Sequence, residues 1–319
     1  MLRDHFLHLF SSQIGHVTRT VCELQLPTSN YFLGSEDITD SVDWVRDNRG
    51  GWILVETGSG KGGRPPRKAE VLIVGKISGD QFYLTPEGGW SPRFGAMYDR
   101  TFCQSKAKAR IVRPDDDVYA SVWDETVENA AHLMRSTLTR PLGNALVNLD
   151  TDGGFYMPVR HSVFHKNCPD ERLLMENWEC TTSDAQNALR ELIASNNNPN
   201  VSPKYLGRAI PVHTADGNLV LPHAYEAVLR GATAVIGFHI LHQVIPEADL
   251  EAQCNTRVQP KDVPRIFKDH FFADITSITV LGPPPPEPVS QARERGFALP
   301  PYLQEGVSNG QPQKKTRRR

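Results

Sequence analysis

The 24 glycines and 24 prolines of this 319-residue chain are spread along its length and interrupt candidate helices within a few turns. That spacing favours many short strands and irregular connections over a helical bundle. A chain of this length can bury one large core or two ordinary ones. Its hydrophobic fraction of 39% and charged fraction of 23% suit a globular protein, and its mean hydropathy of -0.41 leaves room for polar loops. The expected class is α+β and β-rich, with small twisted sheets or barrels and two or three amphipathic helices.

No stretch approaches the roughly 20 apolar residues of a membrane helix. The first twelve residues are interrupted by Arg3, Asp4, His5 and His8 and do not form the apolar run of a secretory leader. Cys22, Cys103, Cys168, Cys180 and Cys254 are scattered and odd in number, whereas disulfide scaffolds are denser and even. The sequence therefore predicts reduced thiols in a nuclear or cytoplasmic protein.

Along the chain, Thr39 to Asp47 reads as a short helix ended by Gly50-Gly51, and Trp52 to Val55 as a strand. A Gly/Lys/Arg/Pro loop from Gly58 to Pro66 leads to a strand over Ala69 to Ile77. The Ser78-Gly79-Asp80 turn then suggests a hairpin with Gln81 to Leu84. Lys108 to Val112 is a further strand. Asp115-Asp116-Asp117 places carboxylates at the start of a helix reaching Leu138, stopped by Arg140-Pro141. A second helix starts at Ser183, with Gln186 completing a capping box, and ends at Asn196-Asn197-Asn198-Pro199. In the last third, Ile210–His213 and Leu219–Leu221 flank an Ala215-Asp216-Gly217-Asn218 turn, and a short helix from Pro222 closes at Gly231. Ala232 to Ile245 and Phe271 to Leu281 are long strands, and Pro283–Pro286 ends the fold because successive prolines cannot continue a ladder. The expected divisions are 1–150, 151–283 and a disordered Pro-rich tail, 284–319.

Most motifs here have plain structural readings. Thr57–Gly63 lacks the spacing of a phosphate-binding loop, with Gly62 where Ser or Thr must follow the lysine. His161, His165, Cys168 and Cys180 are zinc-type ligands, but histidines four apart on a strand stand about 13 Å apart, too far to share an ion. His239 and His242 fall on opposite faces of a strand. Cys168 near His165 is the best thiol–imidazole pair, yet no elbow or oxyanion-hole motif accompanies it. Asp150 and Asp152 before Gly153-Gly154 read as a turn. The sequence thus names no metal, cofactor or catalytic residue, and a non-enzymatic role is the expectation, with a cysteine-dependent enzyme the remote alternative.

Charge is the strongest functional signal. The net charge is -2, but Lys61 to Arg113 carries eleven Lys/Arg against four acids, and the chain from Pro284 carries seven against three. Lys61, Arg64, Arg67, Lys68, Lys106, Lys108, Arg110 and Arg113 are interleaved with aromatics that include Tyr83 and Trp90. Cations tracking phosphate beside rings that stack bases are the chemistry of single-stranded nucleic-acid binding, DNA or RNA. Lys314, Lys315, Arg317, Arg318 and Arg319 suit a nuclear-import signal or polyanion contact. A Pro-rich tail that docks protein partners is the alternative role.

The order of elements from Ile210 to Leu281 resembles the closing part of OB-fold single-stranded DNA-binding proteins of the phage and replication protein A kinds. That order is the Ala215–Asn218 hairpin, a short helix ending at Gly231, and the strands Ala232–Ile240 and Phe272–Leu281. The resemblance implies an OB-like barrel in the C-terminal region. That segment is itself not basic, so the nucleic-acid contact is expected in the N-terminal sheet.

Overall fold

The computed structural model describes residues 30–47, 50–98, 101–166, 178–198, 205–246 and 266–282, with Asn200 and Pro284. In chain order the first elements are β1 (Asn30–Phe32), α1 (Ile38–Ser41), β2 (Val42–Arg46), β3 (Trp52–Glu56), β4 (Glu70–Ile77), α2 (Pro92–Tyr98) and β5 (Lys106–Val112). Next come α3 (Asp117–Ala120), α4 (Trp123–Arg135), β6 (Leu142–Asn144), β7 (Asn148–Leu149), β8 (Phe155–Ser162) and β9 (Phe164–Lys166). The remainder are α5 (Ser183–Asn197), β10 (Tyr205–Gly207), β11 (Val212–His213), β12 (Leu219–Val220), α6 (Tyr225–Leu229), β13 (Thr233–Pro246) and β14 (Phe267–Gly282).

Five of these strands close into a barrel in the order β4-β5-β8-β14-β13, with β13 returning to β4. The β8–β14 pair is parallel, and the other four pairs are antiparallel. A closed five-stranded barrel with that order and one parallel pair has OB-fold topology. Alternation sets its interior. Ala107, Ala109 and Ile111 of β5, Met157 and Val159 of β8, Phe238 and Ile240 of β13, and Phe271, Ala273 and Ile275 of β14 are all buried.

β14 begins at Phe267, four residues before the expected Phe271, and the barrel is not confined to residues 151–283. Val112 pairs with Tyr156, and Val235 pairs with Val74, so strands on both sides of residue 150 share one sheet. The described residues up to Pro284 belong to one unit; the tail from Pro285 and its basic cluster lie outside the described residues.

β4 is apolar on both faces because both are covered. Val71, Ile73 and Ile77 belong to the large core, while Leu72 and Val74 pack with Phe32, Val122 and Val235 in a second cluster. That cluster joins β1 and the approach to α4 to the outside of the barrel. The α4 helix buries Trp123, Val127, Ala130, Leu133 and Met134 at helical spacing. Its Asn129 amide donates to the carbonyls of Leu33 (2.9 Å) and Ser35 (3.0 Å).

Three local expectations are corrected. The helix expected over Thr39 to Asp47 stops at Ser41, and Val42–Arg46 pairs residue by residue with β3, where a strand edge is available to it. The helix expected over 115–138 is two helices. Asp116 caps the first, and Ser121 Oγ donates to Val118 O at 2.6 Å before α4 restarts with buried Trp123. Gln81–Leu84 is no hairpin partner of β4, whose edge is taken by β5 at Lys76↔Val112 and Ile77↔Ile111. Tyr83 instead exchanges backbone hydrogen bonds with Lys108, at 2.8 and 3.3 Å. The helix at 183 is as expected, but Thr182 caps it, and Gln186 reaches back to the Cys180 N–H.

Asp269 on β14 is wholly buried and ties the barrel wall to residues 139–140. Its Oδ2 accepts the Thr139 and Arg140 N–H groups, both at 2.7 Å, and its Oδ1 lies 3.0 Å from His242 Nε2. Burial by itself would raise the carboxyl pKa. The Thr139, His242 and Arg140 hydrogen bonds outweigh it and hold the group below its ordinary value of 3.8. Depression in the folded state means this stabilisation is complete above the unfolded value and is lost as pH falls through the folded one. Urea titrations from about pH 7 to about pH 3 are expected to show an acid-side loss of stability that Asp269→Asn reduces, with the variant about 1–3 kcal/mol less stable at neutral pH.

Packing also leaves no room at Gly75, where a Cβ would lie 2.2 Å from Ile111 Cγ2 and 3.3 Å from the Trp123 ring. Gly75→Ala is expected to cost about 1–3 kcal/mol by overpacking, read as a lower urea midpoint with an unchanged m-value.

Candidate nucleic-acid interface

In the middle of β4 the outward side chains, Leu72 and Val74, are covered; on β5 and β8 the outward Lys106, Lys108, Arg110, Tyr156, Pro158, Arg160 and Ser162 line an open groove of about 1260 Å³. The groove crosses β5, β8, β14 and β13. Six Lys/Arg line it, Lys68, Lys106, Lys108, Arg110, Arg160 and Arg208, against two acids, Asp47 and Asp274.

Strand register sets the layout. Lys108 faces Arg160, Arg160 faces Asp274, and Asp274 faces His239, giving one polar row across four strands. Beside it, Arg110 faces Pro158, and Phe272 faces Leu241, giving a more apolar row. Arg160 Nε donates to Asp274 Oδ1 at 2.6 Å, and its guanidinium lies 3.5 Å from the Phe272 ring centroid. Arg110 lies 4.3 Å from the Tyr156 centroid, bonds Gln81 Oε1 at 3.1 Å and pairs with Asp150 at 3.3 Å.

The sequence-derived residues divide into two sets. Lys68, Lys106, Lys108, Arg110 and Tyr83 line the groove. Lys61, Arg64 and Arg67 are exposed on the loop before Lys68, and Arg67 pairs with buried Glu56 at 2.6 Å. Arg113 is exposed just past the end of β5, and Trp90 meets Phe102 edge-on at 5.1 Å against the core; neither lines the groove. Lys314, Lys315, Arg317, Arg318 and Arg319 lie outside the described residues. Tyr156, Arg160, Arg208, His239, Phe272 and Asp274 also line the groove and were not among the expected contact residues. The signal for three of them was alternation, since Tyr156 and Arg160 share a face of one strand and Phe272 lies outward on another.

The histidines separate as follows. His239 lines the groove and His242 is buried beside Asp269, on opposite faces of β13 as expected. Burial lowers the His239 pKa, and nearby Lys68 adds to the effect. The His161 and His165 rings are 6.3 Å apart, nearer than the 13 Å of an unbroken strand, because β8 ends at Ser162 and a bend at Val163 precedes β9. Both His161 nitrogens are aimed at carbonyls, Nδ1 at Ile275 O (3.1 Å) and Nε2 at Arg208 O (2.9 Å), so neither is aimed at an ion shared with His165. Burial lowers the His161 pKa against those carbonyls. Cys168 lies outside the described residues, and burial beside Glu87 pushes the Cys180 thiol up to about 12. Among the described residues no group of three or more potential ligands gathers for a metal, and no helix is long and apolar enough to cross a membrane.

The fold and its uncovered face define an OB-fold barrel with a basic groove. No protein-family model and no curated protein matches the sequence. Solved structures similar to the chain include gp2.5, a single-stranded DNA-binding protein encoded by bacteriophage T7, at 9% identity and a TM-score of 0.32 over 72% of this chain and 99% of that one. The single-stranded DNA-binding protein of bacteriophage Enc34 matches at 9% identity and 0.32, over 79% of this chain and 94% of that one. Its structure in complex with ssDNA matches at 8% and 0.33, over 77% and 98%. The resemblance is weak but extends well beyond residues 210–281. At these TM-scores it assigns no ligand to this chain.

His161 joins β8, β14 and the Arg208 segment at the groove floor. His161→Leu is expected to leave one buried carbonyl without its donor and to cost about 1–3 kcal/mol, measured by urea unfolding at neutral pH.

Proposed function

We propose that the chain binds single-stranded nucleic acid across the outer face of β5, β8 and β14. The observation that carries this reading is the excess of cations in the groove, six Lys/Arg to two Asp, in a chain whose net charge is -2. Charge of one sign gathered in a concave, partly shielded site concentrates a polyanion there. Rings lie among those cations. Tyr83, Tyr156 and Phe272 line the same surface, so one ligand meets phosphate-binding and base-stacking groups together. In OB folds the face of the second and third barrel strands is the usual oligonucleotide site; here those strands are β5 and β8.

In this reading Lys106 and Lys108 track phosphate from β5, with Lys68 and Arg208 at the borders. Arg110 and Arg160 are already engaged with carboxylates and rings.

The test is the salt dependence of oligothymidylate binding, followed by fluorescence anisotropy. For single strands the slope of log K against log salt is roughly -0.7 per phosphate neutralised. Lys106→Ala with Lys108→Ala is expected to weaken binding and reduce the slope by about 1.4. Lys61→Ala with Arg64→Ala, outside the groove, is expected to leave the slope unchanged. An unaltered slope in the groove variant, or equal slope losses in both, rejects this assignment.

A further inference from the structure

The groove contains one side-chain arrangement built twice, one strand apart. On β5, Arg110 faces Pro158 of β8, and its guanidinium covers Tyr156, two residues before Pro158. On β8, Arg160 faces Asp274 of β14, and its guanidinium covers Phe272, two residues before Asp274. In both cases arginine reaches diagonally to an aromatic on the next strand, the reach that cross-strand diagonal pairs allow. A carboxylate holds each arginine in place, Asp150 for Arg110 and Asp274 for Arg160. His270 lies nearly parallel to Phe272, at 17° with 6.2 Å between centroids, extending the second stack along β14.

This geometry changes what the two arginines can do. A guanidinium paired with an aspartate has its charge largely offset, so it adds little to the attraction for phosphate. Each guanidinium is held over a ring, its carbon 4.3 Å (Arg110) or 3.5 Å (Arg160) from the centroid, and a guanidinium, being planar, stacks on π-faces where an ammonium cannot. Both side chains line the groove and are only partly exposed, at 20% for Arg110 and 18% for Arg160.

We infer that Arg110 and Arg160 are base-stacking platforms, each backed by the ring beneath it, and that Asp150 and Asp274 are positioning residues that hold the planes in place. The inference rests on the single-strand reading of the groove and adds which atoms meet the bases.

The spacing selects the kind of strand. Lys108 faces Arg160, so Arg110 and Arg160 are one strand and two residues apart, or about 8 Å between backbones. Bases stacked in a duplex strand are ~3.4 Å apart. Two neighbouring bases that take the two platforms must be unstacked from each other, which a duplex does not permit. The phosphates remain with Lys106 and Lys108, and the two functions of the groove separate by residue type.

The experiment compares oligothymidylate with an abasic deoxyribose-phosphate strand of equal length, using the full chain and its Arg110→Lys and Arg160→Lys variants. Lysine keeps the charge and removes the plane. Each variant is expected to lose roughly tenfold on oligothymidylate, or about 1.4 kcal/mol, while its affinity for the abasic strand and its salt slope stay as in the parent protein. Phe272→Leu, which removes the ring under Arg160, is expected to give a similar base-dependent loss that is not additive with Arg160→Lys. Parent-like affinity of the lysine variants for oligothymidylate, or equal losses on both strands, overturns the platform inference while the single-strand reading stands. Failure of the parent protein to bind oligothymidylate overturns both. Urea midpoints of the variants matching the parent's identify any loss as one of binding.

Discussion

Closure of the barrel by β13 is the constraint on which the rest of the structure depends. The strand pairs with β14 from Thr233 to Pro246 and offers its other edge first to β4 and then to β3. Without that second edge the sheet would remain open, and β4 would expose backbone groups where it now pairs. A register shift between Gly237 and Phe238 is part of the closure, since bulges let strands bend and twist. Gly237 sits where a Cβ would meet Ser277 Oγ at 2.6 Å and Glu70 Oε1 at 2.8 Å. Glu70 uses the same oxygen to accept the Thr276 and Ser277 hydroxyls. One glycine therefore gives β4, β13 and β14 room to meet.

The groove follows from how unevenly the closed barrel is covered. Leu72 and Val74 on the outside of β4 are sealed by Phe32, Val122 and Val235. The outward positions of β5 and β8 alternate small or apolar residues inward with Lys, Arg and Tyr outward, and in the described structure that face lines an open groove. Apolar surface drives its own coverage, while charged surface is costly to bury unless paired. The difference between β4 and β5 in side-chain chemistry thus decides where a ligand can reach the barrel.

Acids in and beside the groove temper the cations and also orient them. Asp274 in the groove engages Arg160, and Asp150 beside it engages Arg110. The nearby histidines sit among cations and in partly buried surroundings that lower the pKa of His161 and His239. Both rings favour the neutral form, so the positive character of the groove comes from its lysines and arginines.

The sequence by itself determined the long barrel strands and the basic island. Apolar runs and alternation placed β4, β5, β13 and β14 near their observed positions, and the charge count singled out Lys61 to Arg113. Local chemistry also marked the turn at Gly217, the helix cap near residue 183 and the opposite faces of His239 and His242. Alternation and capping are properties of neighbouring residues, which is why they could be read locally. Only the tertiary structure decided that β4 and β5 join the C-terminal strands in one barrel, because strand pairing is set by partners far apart in the chain. It also decided that Val42–Arg46 is a strand and that Lys106 and Lys108 share a face with Arg160 and Phe272. Tertiary packing also separated Trp90, half-buried against the core, from Tyr156, which faces the groove. The basic island was visible in the chain; the surface that gives it a shape was made by barrel closure.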